Sequence, residues 1–155
     1  MSSASSSPEP SEASGAGSAP KRTILIVEDD PVGLEIMAGA FEARGFRALQ
    51  ARTGAEAMSL LRRAGEGIDW LLADVVLPGQ VSGWAVGMEY RLTYPDRPLV
   101  YISAYEQDLS FVPSGARFLA KPVSPAAIAD LFEELQQELT ELWDLKRDSS
   151  DPGRQ

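Results

Sequence analysis

The sequence predicts an α/β fold in which a parallel sheet of five strands is covered by helices on both faces. From residue 21 onward, short apolar runs alternate with segments of helical periodicity. The runs are apolar at consecutive positions, which is typical of strands buried on both faces. With 155 residues and a 44% apolar composition, the chain suffices for one such domain.

Five short runs are the predicted strands. The first is rich in β-branched residues and has charged or polar residues on both sides. In chain order the runs are Ile24–Val27, Phe46–Ala51, Trp70–Ala73, Leu99–Ser103 and Phe118–Ala120. A helix or a less regular connection separates each run from the next, so neighbouring strands are expected to be parallel.

Capping residues and prolines mark the first two helices. Pro31 stands at the first position of a helix whose apolar face ends near Gly45. Asp30 precedes it, and we interpret this acid as a helix cap. Thr53 and Glu56 form a capping box that opens the second helix.

The later connections are less uniform. A third helix follows the turn Pro78–Gly83 and stops at Pro95. The stretch Tyr105–Gly115 is short, has a proline near its end and lacks a helical apolar face. The helix before the fifth strand is therefore predicted to be reduced or irregular. Ser124 and Pro125 are the expected N-cap and first residue of the last helix.

The last helix is predicted to be extended, because its apolar stripe is long. The stripe consists of Ile128, Leu131, Phe132, Leu135, Leu139, Leu142 and Leu145. A long helix packed on its own sheet would explain it, and so would an overhang that pairs two chains. Glu138 interrupts a strict heptad seam. We favour the overhang and a homodimer, because the last two leucines would otherwise be solvated.

The two ends of the chain are expected to lie outside the domain. Residues 1–20 are nearly all Ser, Ala, Gly, Pro and Glu, which bury too little apolar area to offset the entropy of ordering. The domain is expected to span residues 21–145, and residues 146–155 to form a second disordered tail. That tail is too short for a DNA-binding or catalytic output domain, so output is expected to pass through protein contacts.

Composition excludes several functional classes. A net charge of -9 disfavours nucleic-acid partners, whose phosphates need Lys and Arg. The chain has no cysteine and no histidine, which removes disulfides, zinc sites and cysteine nucleophiles. No apolar run approaches the roughly 18 residues of a membrane span, and no signal peptide is recognisable. We expect a cytoplasmic protein without membrane partners.

Acidic residues follow two of the predicted strands. Glu28, Asp29 and Asp30 come directly after the first strand, and Asp74 comes directly after the third. Ligands of such sheets lie at the carboxyl ends of strands. Two charges about 4 Å apart repel by roughly 4 kcal/mol at an effective dielectric near 20, so the cluster needs a cation or a proton. Oxygen-only ligands indicate Mg2+, Mn2+ or Ca2+, and Mg2+ is favoured.

Four blocks of the chain match one known family in order. They are Ile24–Pro31 (ILIVEDDP), Leu72–Gly79 (LADVVLPG), Tyr101–Ala104 (YISA) and Gly115–Pro122 (GARFLAKP). The chain therefore resembles the receiver domain of bacterial two-component response regulators, here of the stand-alone type. The resemblance implies a flavodoxin-like, doubly wound sheet of order 2-1-3-4-5. It also implies a protein that assists its own phosphorylation and dephosphorylation, with a sensor histidine kinase or phosphotransfer protein as its partner.

The resemblance assigns the phosphoryl and metal roles. Asp74 matches the phosphoacceptor, which is also a metal ligand. Asp29 matches a direct ligand of Mg2+, or of Mn2+, and Glu28 matches a ligand that acts through water. The backbone carbonyl of Val76 should complete the protein's share of the coordination.

Further positions match residues around the phosphoryl group. Ser103 matches the switch hydroxyl and Ala104 the small residue beside it. Lys121 matches the phosphate-contacting lysine, whose bond to the following proline should be cis. Phe118 matches the aromatic residue whose rotamer reports the state, although plain core packing explains it equally well.

Departures from the family pattern affect partners and turnover. The loop from Pro78 to Gly83 is one residue longer than is usual, which would alter the approach of a kinase. Val76 and Tyr105 occupy the positions two residues after Asp74 and Ser103, respectively. An apolar and a bulky aromatic side chain there should hinder an in-line water, so a long-lived phosphoaspartate is expected.

Two other functions remain open. A phosphatase with an aspartyl intermediate is disfavoured, because no second Asp stands two residues after Asp74 to protonate a leaving group. A phosphorylation-independent interaction module is disfavoured because all the reacting groups are present. Turnover of small phosphate esters would favour the first alternative, and failure to bind Mg2+ would favour the second.

Overall fold

The computed structural model describes residues 21–104, 112–113 and 115–149. Its regular elements, in chain order, are β1 (Thr23–Val27), α1 (Pro31–Glu42), β2 (Arg47–Ala51), α2 (Gly54–Ala64), a 3-10 turn (Gly65–Gly67), β3 (Trp70–Asp74), α3 (Gly83–Thr93), β4 (Leu99–Ser103), β5 (Arg117–Ala120) and α4 (Pro125–Ser149). All strand pairings are parallel, in the order β2-β1-β3-β4-β5. The predicted five-stranded sheet and its strand order are confirmed.

The two faces of the sheet carry separate apolar cores. Helices α1 and α4 cover one face, where Phe41, Trp70 and Leu131 are among the buried side chains. Helices α2 and α3 cover the other face, which buries Leu71 and Tyr101. Alternate residues of a strand point to opposite faces, so β1, β3 and β4 are buried along their whole length. This burial explains why their sequences are apolar without interruption.

The predicted helix caps are present. The Asp30 carboxylate accepts a hydrogen bond from the amide of Gly33 at 3.1 Å. The hydroxyls of Thr53 and Ser124 accept bonds from amides three residues further on, at 3.0 Å in both cases. The capping interpretation of all three residues is thereby confirmed.

The ends of two strands differ from the prediction, and some predicted segments lie outside the described residues. β2 begins at Arg47 and β5 at Arg117, one residue later and one residue earlier than expected. α4 is confirmed as an extended helix, and its backbone continues past Leu145 to Ser149. The predicted tail 1–20 and nearly all of the stretch predicted to hold a reduced helix lie outside the described residues.

No helix in the described part of the chain is both long and apolar enough to cross a bilayer.

Glycines allow α3 to lie unusually close to the sheet. A Cβ atom on Gly83 would be 1.8 Å from the carbonyl oxygen of Asp74. One turn later, a Cβ atom on Gly87 would be 2.1 Å from the hydroxyl oxygen of Tyr101. Both distances are far below van der Waals contact. Helix α3, which follows β3, is therefore packed directly against the backbone of Asp74.

We predict that Gly83→Ala lowers the free energy of unfolding by about 3 kcal/mol, because the added methyl group forces the helix away from the strand. The matched control is Gly39→Ala, in the exposed part of α1, where an added Cβ meets no atom within 4 Å. This control should gain about 0.5–1 kcal/mol from the lower flexibility of the unfolded chain. Urea denaturation measures both values, and equal effects of the two substitutions would contradict the close approach.

Candidate functional site

Three carboxylates meet where β1 and β3 end. These strands are neighbours, with Val27 opposite Ala73, so the residues that follow come together at one edge of the sheet. One carboxylate oxygen from each of Glu28, Asp29 and Asp74 lies within 4.8 Å of the other two. Glu28 and Asp74 are 2% and 3% exposed, whereas Asp29 is open to solvent. Two acids that are usually hydrated are thus buried side by side.

Backbone amides orient the two buried acids. The amide of Asp30 donates to Glu28 Oε2 at 3.1 Å, and the amide of Val76 donates to Asp74 Oδ1 at 3.0 Å. The amide of Glu28 itself donates to the carbonyl of Ala51 at the end of β2. Each carboxylate is therefore held by the turn that follows its own strand, and one oxygen of each remains directed toward the shared cleft.

Lys121 supplies the counter-charge. It follows β5, and its amide donates to the carbonyl of Ser103 at 2.9 Å, which extends the pairing of β4 with β5. Its ammonium lies 3.1 Å from Glu28 Oε1 and pairs with Asp74 Oδ2. The Lys121–Pro122 peptide bond is cis, as expected. One ammonium group thus bridges the two buried carboxylates.

Burial and neighbouring charges shift the pKa values of Glu28 and Lys121. Burial raises the pKa of Glu28 above its ordinary value, and the negative charge of Asp74 adds to the rise. The amide of Asp30 and the ammonium of Lys121 act in the opposite direction without cancelling it. Burial alone would lower the pKa of Lys121, but its hydrogen bonds to Asp74 and Glu28 outweigh burial and raise it. Lys121 is therefore a permanent cation in this site at neutral pH.

The donor set fits a divalent cation. It consists of carboxylate oxygens without nitrogen or sulfur ligands, as hard cations such as Mg2+ prefer. Two of the acids are buried and share a single ammonium group between them, so the cluster retains an excess of negative charge for a cation to neutralise. The three carboxylates that the sequence predicted for a metal, those of Glu28, Asp29 and Asp74, are thus brought together as one cluster.

Other predicted site residues lie around this cluster. Ser103 ends β4 and is buried, opposite Ala120 of β5, and Ala104 follows it in an exposed position. The side chain of Val76 is 69% exposed on the loop after Asp74. Tyr105, the second residue predicted to slow hydrolysis, lies outside the described residues.

Phe118 belongs to an aromatic group rather than to the acidic cluster. Its ring centroid is 5.6 Å from that of Tyr101 and 6.1 Å from that of Trp84. Trp84 and Tyr101 are themselves 4.6 Å apart. The group connects β5, β4 and the first turn of α3 on one face of the sheet, so Phe118 has a packing role in this conformation.

Sequence reasoning did not single out Arg52. This residue follows β2, and its guanidinium donates to the backbone carbonyl of Asp29 at 3.1 Å. A signal was available, because β2 lies beside β1 and its carboxyl end reaches the same edge of the sheet. Arg52 escaped notice because a lone surface arginine in a turn carries no family motif.

Comparison with known proteins identifies relatives of this arrangement. A model of the family described as "Response regulator receiver domain" matches residues 24–133. The chain is 31% identical over 117 residues to the sensor kinase CckA of Brucella abortus, covering 73% of this chain and 12% of CckA. It is 30% identical to the response regulator SaeR of Staphylococcus aureus, covering 66% of this chain and 45% of SaeR. The chain thus spans less than half the length of either curated relative.

A solved structure shows the same fold. It is a response regulator receiver protein from Sinorhizobium medicae, which is 26% identical and superimposes with a TM-score of 0.69. The match covers 74% of this chain and 94% of that protein. The similarity in fold therefore extends over nearly the whole of the solved receiver protein.

We predict that Lys121→Met lowers the free energy of unfolding by about 2 kcal/mol at pH 8 without Mg2+, because Glu28 and Asp74 lose their shared counter-charge. The folded state then holds a proton on Glu28 more tightly than the unfolded state does, so lowering the pH stabilises the variant relative to wild type. The loss should shrink as the pH falls toward and below the raised pKa of Glu28, and it should shrink on addition of Mg2+.

Lys21→Met is the matched control, because it removes the same charge from an exposed site before β1. It should change stability by less than about 0.5 kcal/mol. Urea denaturation at pH 5 and pH 8 measures both variants. A loss for Lys121→Met that is the same at both pH values, with and without Mg2+, would contradict the electrostatic explanation.

Proposed function

Because this chain belongs to the response regulator receiver domain family, we propose that it accepts a phosphoryl group on Asp74 from a histidine kinase or a phosphotransfer protein. One observation carries the proposal: Asp74 ends the central strand among Glu28, Asp29 and Lys121, in the oxygen-rich cleft that phosphoryl transfer to a carboxylate requires. We further propose that the protein acts in the cytoplasm and signals through protein contacts rather than through nucleic acid.

The proposed step transfers the group from nitrogen to oxygen. Asp74 Oδ2 attacks phosphorus in line, a P–O bond forms, and the P–N bond to the partner's phosphohistidine breaks. The phosphohistidine ring carries a proton on its other nitrogen, so the departing imidazole keeps the electron pair of the broken bond and leaves as a neutral ring on the partner protein. Lys121, which pairs with Oδ2 before the reaction, is then close enough to follow the charge onto a phosphoryl oxygen. Ser103, buried at the end of β4, is the proposed hydroxyl donor to a second phosphoryl oxygen.

A divalent cation is the proposed cofactor, with Mg2+ preferred and Mn2+ a substitute. Asp29 and Asp74 would bind it directly, Glu28 through water, and Val76 through its backbone carbonyl. When bound, the ion neutralises negative charge that builds up on the phosphoryl oxygens. The buried position of Asp74 supports this proposal, because an anionic donor would otherwise meet uncompensated carboxylates.

Hydrolysis of the phosphoaspartate is proposed to be slow. Ala104 would leave room for the group beside Ser103, while Val76 and Tyr105 would restrict the path of an attacking water. The position of Val76 supports this, since it lies two residues after Asp74 on an exposed part of the loop. The protein is proposed to assist its own phosphorylation and, at this slow rate, its own dephosphorylation, without turning over small phosphate esters.

We also propose that two chains associate through the end of α4. Its 25 residues span about 37 Å, roughly twice the length of a five-residue strand. The helix is therefore longer than the strands on which its first turns pack, and its last turns form the proposed overhang. Leu145, in this overhang, is 65% exposed. Pairing of the overhangs would remove this apolar surface from water.

Incubation with acetyl phosphate and Mg2+ tests the phosphoacceptor directly. We expect intact-mass measurement to show the gain of one phosphoryl group that is labile to base, because the linkage is an acyl phosphate. Asp74→Asn should gain none, and Asp69→Asn, an acid at the opposite end of β3, is the matched control that should still be labelled. No gain by wild type under any condition would move the function to a phosphorylation-independent interaction module.

The same mass measurement, followed after removal of acetyl phosphate, tests the lifetime. Val76→Asn combined with Tyr105→Asn should shorten the half-life several-fold, because small polar side chains admit and orient water. An unchanged half-life would contradict the proposed role of these two residues.

Sedimentation equilibrium at high micromolar concentration tests the dimer. We expect wild type to associate and Leu145→Glu to weaken association at least tenfold, because a charge would be buried in the contact. Gln137→Glu, exposed on the same helix, is the control that should leave it unchanged. A monomeric wild-type protein at these concentrations would rule out the proposed pairing.

A further inference from the structure

The turn between β2 and α2, residues 51–54, contributes no carboxylate to the site, yet it contacts both segments that do. One of these segments is the turn after β1, which carries Glu28 and Asp29. The other is the loop after β3, which begins at Asp74. The β2–α2 turn lies at the same sheet edge because β2 pairs with β1 in parallel register.

The contact with the first segment is made by Arg52. Its guanidinium donates to the backbone carbonyl of Asp29 at 3.1 Å, so it acts on the position of the turn and not directly on a carboxylate. Arg52 is itself held in place, because its backbone amide donates to Glu56 Oε1 at 2.7 Å. Glu56 in turn belongs to the first turn of α2, where its amide donates to Thr53. The backbone that carries the guanidinium is therefore anchored to the first turn of α2.

The contact with the second segment is made by Gly54. A Cβ atom there would lie 2.2 Å from the carbonyl oxygen of Val81, so the loop lies directly against the start of α2. Two residues further along the loop, a Cβ atom on Gly83 would lie even closer, 1.8 Å, to the carbonyl oxygen of Asp74. The loop is thus confined between the β2–α2 turn and the strand that carries Asp74.

We propose that Arg52 is a positioning residue for the divalent cation site. Its hydrogen bond fixes the turn that carries Asp29 to the β2–α2 turn, and the β2–α2 turn also confines the loop after Asp74. This inference rests on the proposed function, because it takes Asp29 and Asp74 as ligands. Ligand groups held in place before the ion arrives lose less freedom on binding, which increases affinity. Loss of the Arg52 hydrogen bond should therefore weaken cation binding.

The direction of the change in Mg2+ affinity distinguishes the two possible effects of Arg52, that of its hydrogen bond and that of its charge. A guanidinium beside an acidic site repels a divalent cation, so if only its charge mattered, removing Arg52 would tighten Mg2+ binding. If the hydrogen bond to Asp29 matters more, removing it weakens Mg2+ binding despite the loss of a repelling charge. Glutamine can still donate an N–H to the carbonyl but has no charge, whereas methionine has similar length and no donor.

The experiment is a Mg2+ titration of the melting temperature, which gives an apparent dissociation constant without any phosphoryl donor. We expect Arg52→Met to weaken Mg2+ binding threefold to tenfold, as the loss of one hydrogen bond predicts. Arg52→Gln should stay within twofold of wild type. Arg63→Met removes the same charge from an exposed position on α2 and should bind Mg2+ as wild type does.

Each other outcome has a definite meaning. Tighter Mg2+ binding in both Arg52 variants would show that only charge acts, and it would overturn the inference. So would equal affinities in wild type and Arg52→Met. A wild-type protein that is phosphorylated and binds Mg2+, with no difference among the variants, would leave the proposed function intact. Failure of the wild-type protein itself to bind Mg2+ would instead overturn the proposed metal site and, with it, the proposed positioning role of Arg52.

Discussion

The burial of Glu28 and Asp74 beside each other is the constraint on which the rest of this structure depends. Carboxylates at 2% and 3% exposure repel strongly when their charges are not compensated. The ammonium of Lys121, which follows the edge strand β5, compensates this repulsion by pairing with both carboxylates. Lys121 is therefore the counter-charge of both buried acids, and an added cation or phosphoryl group at the site would change its pairing partners.

The parallel sheet provides the means of assembling this balance. Strands β1, β3 and β5 are distant in sequence, but their carboxyl ends meet at one edge because all five strands run in the same direction. Burial on both faces makes β1 and β3 rigid. The loops that follow them can then hold charged groups at fixed separations, as Asp30 and Val76 do through their amides.

The close packing of α3 connects the acidic cleft to a larger surface. Gly83 contacts the backbone of Asp74, and Trp84, the next residue, packs on Tyr101. Tyr101 packs in turn on Phe118, three residues before Lys121. Burial raises the pKa of the Tyr101 hydroxyl to about 12, so this ring stays neutral and packs as an apolar group at any physiological pH. A rearrangement around Asp74 would therefore alter the packing of both α3 and β5.

The sequence by itself determined the fold class, the approximate position of every strand, the helix caps and the acids that converge. Those features follow from local periodicity, from capping chemistry and from motifs whose residues are close in the chain. Only the tertiary structure showed that Lys121 bridges Glu28 and Asp74, that α4 continues to Ser149, and that Arg52 reaches the carbonyl of Asp29. The contacts of Lys121 and Arg52 depend on the reach of side chains between the ends of different strands, neighbouring or not. Sequence patterns record which residues are buried or polar, but not which polar groups meet when their sequence separation is 23 residues, as for Arg52 and Asp29, or 93, as for Lys121 and Glu28.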